Sequence, residues 1–427
     1  MDSKFQQFVR FLDQSHSNYH ATANLVQQLQ AAGYQCLQES QAWNLVPGGK
    51  YYMTRGGSSV IAFRIPEQTA KGFLMSASHT DRPGFKIKEN GELTGAYTRF
   101  TTEKYGSVLM GTWLDRPLSV AGRVVVETEN GLQTRLIDID KDLFLIPHVA
   151  IHMNRQANDG IAWNPTVDTL PLFGTADAAG KFSEMLQQAA GGKILAHDLW
   201  LYVRQKATVW GTQEEFISSA ALDDLQCAWG CTQGFLEAET ATHVPVLCVF
   251  DSEEIGSFTK QGADSGLLPG VLGRICDSMH YDLQQMLSQS FMISADNAHA
   301  VHPNHPEYAD ATNAPVVGGG IVIKFNAAQR YTTDGVSAAI FRKVCKDAGV
   351  PVQNYYNRAD LAGGTTLGCV SVTQVSVPSV DIGLPQLAMH SCYETAGTQD
   401  TLSLVAAMRK YYQMQLQTHA DGSYFIA

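Results

Sequence analysis

The spacing of apolar positions changes along the chain, and those changes mark out its organisation. Phe5, Phe8, Val9 and Leu12 recur at helical spacing, and Ala23, Leu25, Val26, Leu29 and Ala32 repeat it up to Gly33. The first 35 residues are therefore expected to be helical. From about residue 44 the apolar runs shorten to YYMT, SSVIAFRI and KGFLMSAS, separated by Gly, Pro and polar turns, which predicts strands of one sheet. Between roughly 90 and 212 the texture is β-rich, with SVAGRVVVET, TRLIDI and LWLYVRQKATVWG joined by long polar connections. After 213, alternation of strand and helix returns. The pattern predicts a helix over 222–237, strands over 244–250, 291–294, 320–325 and 379–383, and helical stretches around 334–347 and 399–416.

This order predicts a discontinuous α/β sandwich with a mixed, largely parallel sheet, built from residues 1–90 and 213–427. A β-rich domain over 91–212 is inserted between the two parts. The chain length of 427 residues, about three times the ~150 of one domain, agrees with two or three folded units.

Composition narrows the function classes. The net charge of −11 and the absence of any Lys/Arg-rich run argue against nucleic acid as the main partner. No window approaches the ~18 consecutive apolar residues of a membrane span. The opening MDSKFQQFVRFLDQ, with Asp2, Lys4, Arg10 and Asp13, lacks the apolar core of a signal peptide, so a cytoplasmic location is expected. The eight cysteines are scattered. Only Cys227 and Cys231 are close, and their i, i+4 spacing in an apolar stretch reads as one face of a buried helix.

Five polar clusters follow predicted strands or open helices, where open α/β sheets place their ligands. SASHTDRPG carries His79 and Asp81, a spacing in which the carboxylate can orient the imidazole. SSAALDDLQ carries Asp223 and Asp224, which alone would read as helix-capping residues. VFDSEEIGS places Asp251, Glu253 and Glu254 after an apolar strand, where they repel unless a cation sits among them. SADNAHAVHPNHPEY holds Asp296 with His299, His302 and His305, and GLPQLAMHSCYETAG holds His390 and Glu394. Together His79, Asp223, Glu254, Asp296 and His390 form a mixed N/O donor set suited to two divalent ions bridged by a carboxylate. Two dications, three carboxylates and a hydroxide sum to about zero charge, which permits burial. Such donors suit zinc, with cobalt or manganese as alternatives. In the tandem, one glutamate can ligate while its neighbour Glu253 takes a proton from the bridging water.

The motifs SHTD, LDDL, DSEEIGS, SADNAHAVHPN, IVIKFNAAQRY, GGTTLG and PQLAMHS, with WLDRPLSVAGRV and IPHVAIHMNRQAN, resemble the M18 aminopeptidase family, from about residue 16 to 415. The resemblance implies a di-zinc exopeptidase that removes single N-terminal residues from peptides, and it suggests acidic ones, Asp or Glu. It implies that the five donors hold two zinc ions with Asp223 bridging, that Glu253 is the general base, and that Asp81 stands behind His79. It further implies that Lys324 and Tyr331 contact substrate or oxyanion. His152 would reach a neighbouring subunit's site, and the β-rich domain would make a dimer contact within a tetrahedral dodecamer. Departures from the family pattern at Ala221, Asp224, Gly363 and Asp334 remove none of these residues. Two other readings stand beside this one: a related di-metal amidohydrolase or deacylase, and a catalytically weak assembly or binding shell. A deacylase would need a free Arg or Lys for the substrate carboxylate, whereas an aminopeptidase needs a carboxylate or metal for the free amine.

Overall fold

The computed structural model describes residues 3–239 and 242–427, and the N-terminal reading above falls partly outside it, at Met1 and Asp2. The helical opening is two helices, Ser3–Gln14 and Asn18–Ala31, with Ser17 as N-cap of the second, its side chain accepting from the His20 N–H. The runs YYMT, SSVIAFRI and KGFLMSAS become the strands Lys50–Arg55, Ser59–Arg64 and Phe73–His79 of one nine-stranded sheet. At its centre the strands Val244–Phe250, Phe73–His79, Phe291–Ala295 and Ser379–Gly383 lie side by side and parallel. The flanking pairings include antiparallel ones, between 50–55 and 59–64, 59–64 and 244–250, and 321–325 and 379–383, so the sheet is mixed.

Alternate side chains of these strands enter two apolar layers, as the two-residue period of a strand requires. From Val244–Phe250, Leu247 and Val249 face one layer, while Val246, Cys248 and Phe250 face the other. The first layer is closed by the helices 3–14, 18–31, Leu222–Glu237, Gly335–Ala348 and Thr398–Gln413, and the second by Leu267–Met279, Leu283–Ser288 and Leu367–Gln374. The 222–237 helix is buried from Leu222 to Phe235, and Cys227 and Cys231 are both fully buried on it. It packs closely on the 398–413 helix because Gly234 has no side chain; a Cβ there would lie 2.4 Å from that of Met408.

Residues 84–203 supply all strands of a separate six-stranded antiparallel sheet, with its own core around Phe85, Phe100, Phe144 and Leu199. The helix Lys181–Ala190 covers that core through Phe182, Leu186 and Ala190. The strand Thr208–Trp210, within the β-rich stretch of the sequence, joins neither large sheet but a five-stranded one that also contains Phe216–Ser219 and Glu394–Gly397. No helix among the described residues is long and apolar enough to cross a membrane.

Candidate metal centre

The parallel strands end together, and their carboxyl ends deliver the polar clusters to one cleft. His79 closes the 73–79 strand, Glu253 and Glu254 lie in the turn after 244–250, and Asp296 follows 291–295. Asp223 comes from the first turn of the 222–237 helix and His390 from the loop after Pro385–Leu387. All six line a cleft of about 340 Å³, together with His299, Lys324, Tyr331 and Met389.

Asp223 is the hub. Its Oδ1 lies 3.5 Å from His79 Nε2 and its Oδ2 lies 3.5 Å from His390 Nε2, which is also 3.5 Å from Glu254 Oε2. One donor atom each from His79, Asp223 and Glu254 falls within 4.8 Å of the others, and so does one oxygen each from Asp223, Asp224 and Asp296. His79 Nε2 is 4.0 Å from Asp296 Oδ1. These spacings are long for hydrogen bonds. They match two donors each ~2.1 Å from one tetrahedral ion, which stand roughly 3.4 Å apart. Asp223 Oδ1 is buried and has no hydrogen-bond partner among the described residues, and neither has Asp224 Oδ1. The donor set and the orphan oxygens therefore fit divalent metal.

Both imidazoles are presented by their other nitrogen. His79 Nδ1 faces the Asp81 carbonyl at 3.1 Å and Asp81 Oδ1 at 3.3 Å, and His390 Nδ1 faces the Ser107 carbonyl at 3.1 Å. A proton on Nδ1 satisfies these contacts and leaves the Nε2 lone pair aimed into the cluster. Asp81 does more than back His79: its two oxygens accept the backbone N–H groups of Glu253 and Glu254, each at 3.1 Å. Glu394, fully buried, accepts from the N–H of Asp223 at 3.0 Å and of His390 at 2.7 Å. The sequence shows Glu394 only as a residue four after His390; its clamp joins loops distant in the chain.

The electrostatics follow from crowding acids in a dry site. Burial pushes Glu253 up to about 8, with Asp296, Asp81 and Asp223 adding to the rise against the pull of His79. Burial also raises Glu254 and brings Asp296 to about 6, although Lys324 opposes the latter. Burial alone would raise Asp223, but the imidazoles of His390 and His79 outweigh it and hold this carboxyl below its usual range.

Asp224 departs from the capping expectation. Ala221 occupies the N-cap position, and Asp223 and Asp224 have non-helical backbone angles. Asp224 Oδ2 instead accepts the His79 N–H at 3.2 Å. Lys324 is buried with its Nζ 3.6 Å from Asp296 Oδ2 and donates to the Asn297 carbonyl at 3.1 Å; Tyr331 lies beside it. Of the three loop histidines only His299 lines the cleft; His302 and His305 are exposed. His152 is exposed in a turn and is not among the cleft-lining residues of its own chain.

Comparison with known proteins sharpens this. The family described as "Aminopeptidase I zinc metalloprotease (M18)" matches residues 11–412. A "Probable M18 family aminopeptidase 2" of Clostridium novyi is 41% identical over 420 residues, covering 95% of this chain and 97% of that protein. Its namesake in Pseudomonas aeruginosa is 38% identical over 419 residues, covering 95% and 97%. The cryo-EM structure of an Ape4 and Nbr1 complex superposes with a TM-score of 0.93 at 34% identity, over 96% of this chain and 85% of that one. The Saccharomyces mApe1 dodecamer gives 0.85 at 25% identity, over 96% of both chains.

Proposed function

The chain belongs to the M18 family of zinc metalloproteases and is an aminopeptidase, and from that premise we propose that it hydrolyses the N-terminal residue of peptides at a two-zinc centre. His79, Asp223, Glu254, Asp296 and His390 would hold the pair, Asp223 bridging. The observation that carries this is the two-faced Asp223, each oxygen 3.5 Å from a different imidazole Nε2. When bound, the ions would act as Lewis acids toward the scissile carbonyl and make deprotonation of water easier.

The protein's own groups account for the proton traffic. Glu253, held at its backbone by Asp81, takes a proton from the attacking water as the C–O bond forms. It returns that proton to the leaving amine as the C–N bond breaks, so that one water and one amide give one acid and one amine. Burial raises its carboxyl above the ordinary carboxylate range, which strengthens it as a proton acceptor. Tyr331 lines the cleft where it can donate to the developing oxyanion, and Lys324 holds Asp296 while contacting substrate.

The deacylase alternative is disfavoured by one observation. Among the described residues Lys324 is the one Lys or Arg lining the cleft, and its charge is already paired with Asp296, so that it can touch substrate but not neutralise a substrate carboxylate. Arg330 is exposed, donates to the Gly363 carbonyl at 3.2 Å and does not line the cleft. With so few cations in the cleft, a preference for Asp or Glu at the N-terminus would need positive charge from outside it, and His152 of the partner subunit would reach the site from across the interface. That arrangement belongs with self-association through the 91–212 domain, in a dimer and a dodecamer like the one solved for mApe1. A cytoplasmic location completes the proposal.

Elemental analysis of the purified protein, with hydrolysis of Asp, Glu, Leu and Ala anilides before and after chelation, tests the reading. Two zinc per chain and chelator-sensitive release of one residue are expected; two zinc without release from any anilide or short peptide would refute it.

A further inference from the structure

Residues 105–112 leave the six-stranded sheet and run along the cluster, and of them the roles above include the Ser107 carbonyl alone. Tyr105 ends the strand Tyr97–Tyr105, where it pairs with Gly84. Its hydroxyl donates to Asp81 Oδ2 at 2.7 Å, beside the Glu254 N–H on the same oxygen. Gly106, at φ +65°, lays its backbone against Glu254: a Cβ there would lie 3.2 Å from that of Glu254 and 3.4 Å from its Oε2. Both the positive φ and the close approach suit glycine. The Ser107 carbonyl accepts from His390 Nδ1 at 3.1 Å, and the Leu109 N–H donates to the His390 carbonyl at 3.0 Å. Thr112 then holds Cys392, its hydroxyl accepting the Cys392 N–H at 3.1 Å.

We infer that this strap, carried by the inserted sheet, is a positioning element of the metal centre, acting through Tyr105 on Asp81, Gly106 on Glu254 and Ser107 on His390. A strap that only joined two domains would end on scaffold atoms. This one ends on the non-coordinating nitrogen of His390 and on the carboxylate that holds His79, Glu253 and Glu254. His390 also sits at φ +67°, a conformation costly for a residue with a side chain, and the bonds from Ser107 and Leu109 help to hold it there. The inserted sheet and the central sheet thus share one site. The inference rests on the proposal that His79, Glu254 and His390 hold zinc.

Tyr105→Phe is the direct test, because it removes the hydroxyl and keeps the ring against Trp200, 4.9 Å away. Zinc affinity is measured by chelator competition on the full-length protein, and the visible spectrum is recorded after cobalt loading. Loss of a partner behind a metal ligand typically weakens binding about 10- to 100-fold. A weakening of about 10-fold and an altered cobalt spectrum, at an unfolding midpoint near that of the wild type, are expected. Gly106→Ala, which pushes on Glu254 directly, is expected to weaken zinc binding at least as much and serves if Tyr105→Phe does not fold. Wild-type zinc affinity and cobalt spectrum in either folded variant would overturn the strap. Failure of the wild type to bind zinc, or full zinc retention by His390→Ala, would instead overturn the site reading and the strap with it.

Discussion

Two carboxylate centres in this molecule, one half-buried and one dry, show how differently a chain can treat negative charge drawn out of water. Asp198, on the Ile194–Val203 strand of the six-stranded sheet, has every oxygen engaged. Lys86 Nζ is 2.5 Å from Oδ1, and Arg123 Nε and the Tyr19 hydroxyl are 2.7 and 3.3 Å from Oδ2. Burial would raise this carboxyl, but Lys86 and Arg123 hold it below the usual range. At the cleft Asp223, Glu253, Glu254 and Asp296 crowd together, backed by Asp81 and Asp224, and among the described residues Lys324 is the one Lys or Arg lining it. There Asp223 and Asp224 each keep an orphan oxygen. The first centre balances its charge with the chain's own cations and is structural. The second does not, and acids packed so closely in a dry site must hold protons or take a cation from outside.

Substitutions can break this contrast, and the largest effect is expected at Glu253. Glu253→Gln should lower kcat by about 10²- to 10⁴-fold, the usual worth of a general base, with zinc content unchanged; steady-state kinetics with near-normal turnover would exclude it as the base. His390→Ala comes next and should remove about one zinc per chain while leaving the fold in place. His152→Ala should reduce turnover about 10-fold without altering bound metal, since an oriented binding group contributes of that order. If it acts across an interface, mixing it with the Glu253→Gln chain restores part of the activity, and mixed assemblies no more active than their parents would confine each site to one subunit.

Asp198→Asn sharpens the contrast from the other side. It should cost roughly 1 kcal/mol of stability, the upper end for a partly exposed ion pair, with zinc content untouched. The carboxyl is depressed in the folded state, so its contribution is full above its unfolded value of ~3.9 and is lost as pH falls through the folded one. The stability gap between wild type and variant should therefore narrow below about pH 4; a gap that widened on acidification would contradict the ion-pair account.

The sequence disclosed the cleft more readily than its supports. His79 ends an apolar strand, and Glu253, Glu254 and Asp296 follow within four residues of one, so a local pattern shows both the strand and the group it delivers. The 244–250 and 379–383 strands and the 222–237 helix appear where the apolar runs place them. The helix Leu367–Gln374 escaped because LGCVSVTQ mixes β-branched and polar residues without a helical stripe. Asp224 misled because an acid at a helix start resembles a cap, whereas tertiary contact with His79 claims its oxygen. Glu394 and the 105–112 strap were illegible for another reason. The Ser107–His390 bond spans 283 residues and uses a backbone carbonyl, which any residue type supplies.

Zinc content per chain, by elemental analysis of the wild type and His390→Ala side by side, tests the central claim most directly. Bridging by Asp223 predicts two equivalents in the wild type and one in the variant. Equal zinc in the two proteins, or a single equivalent in a fully active wild type, would contradict it.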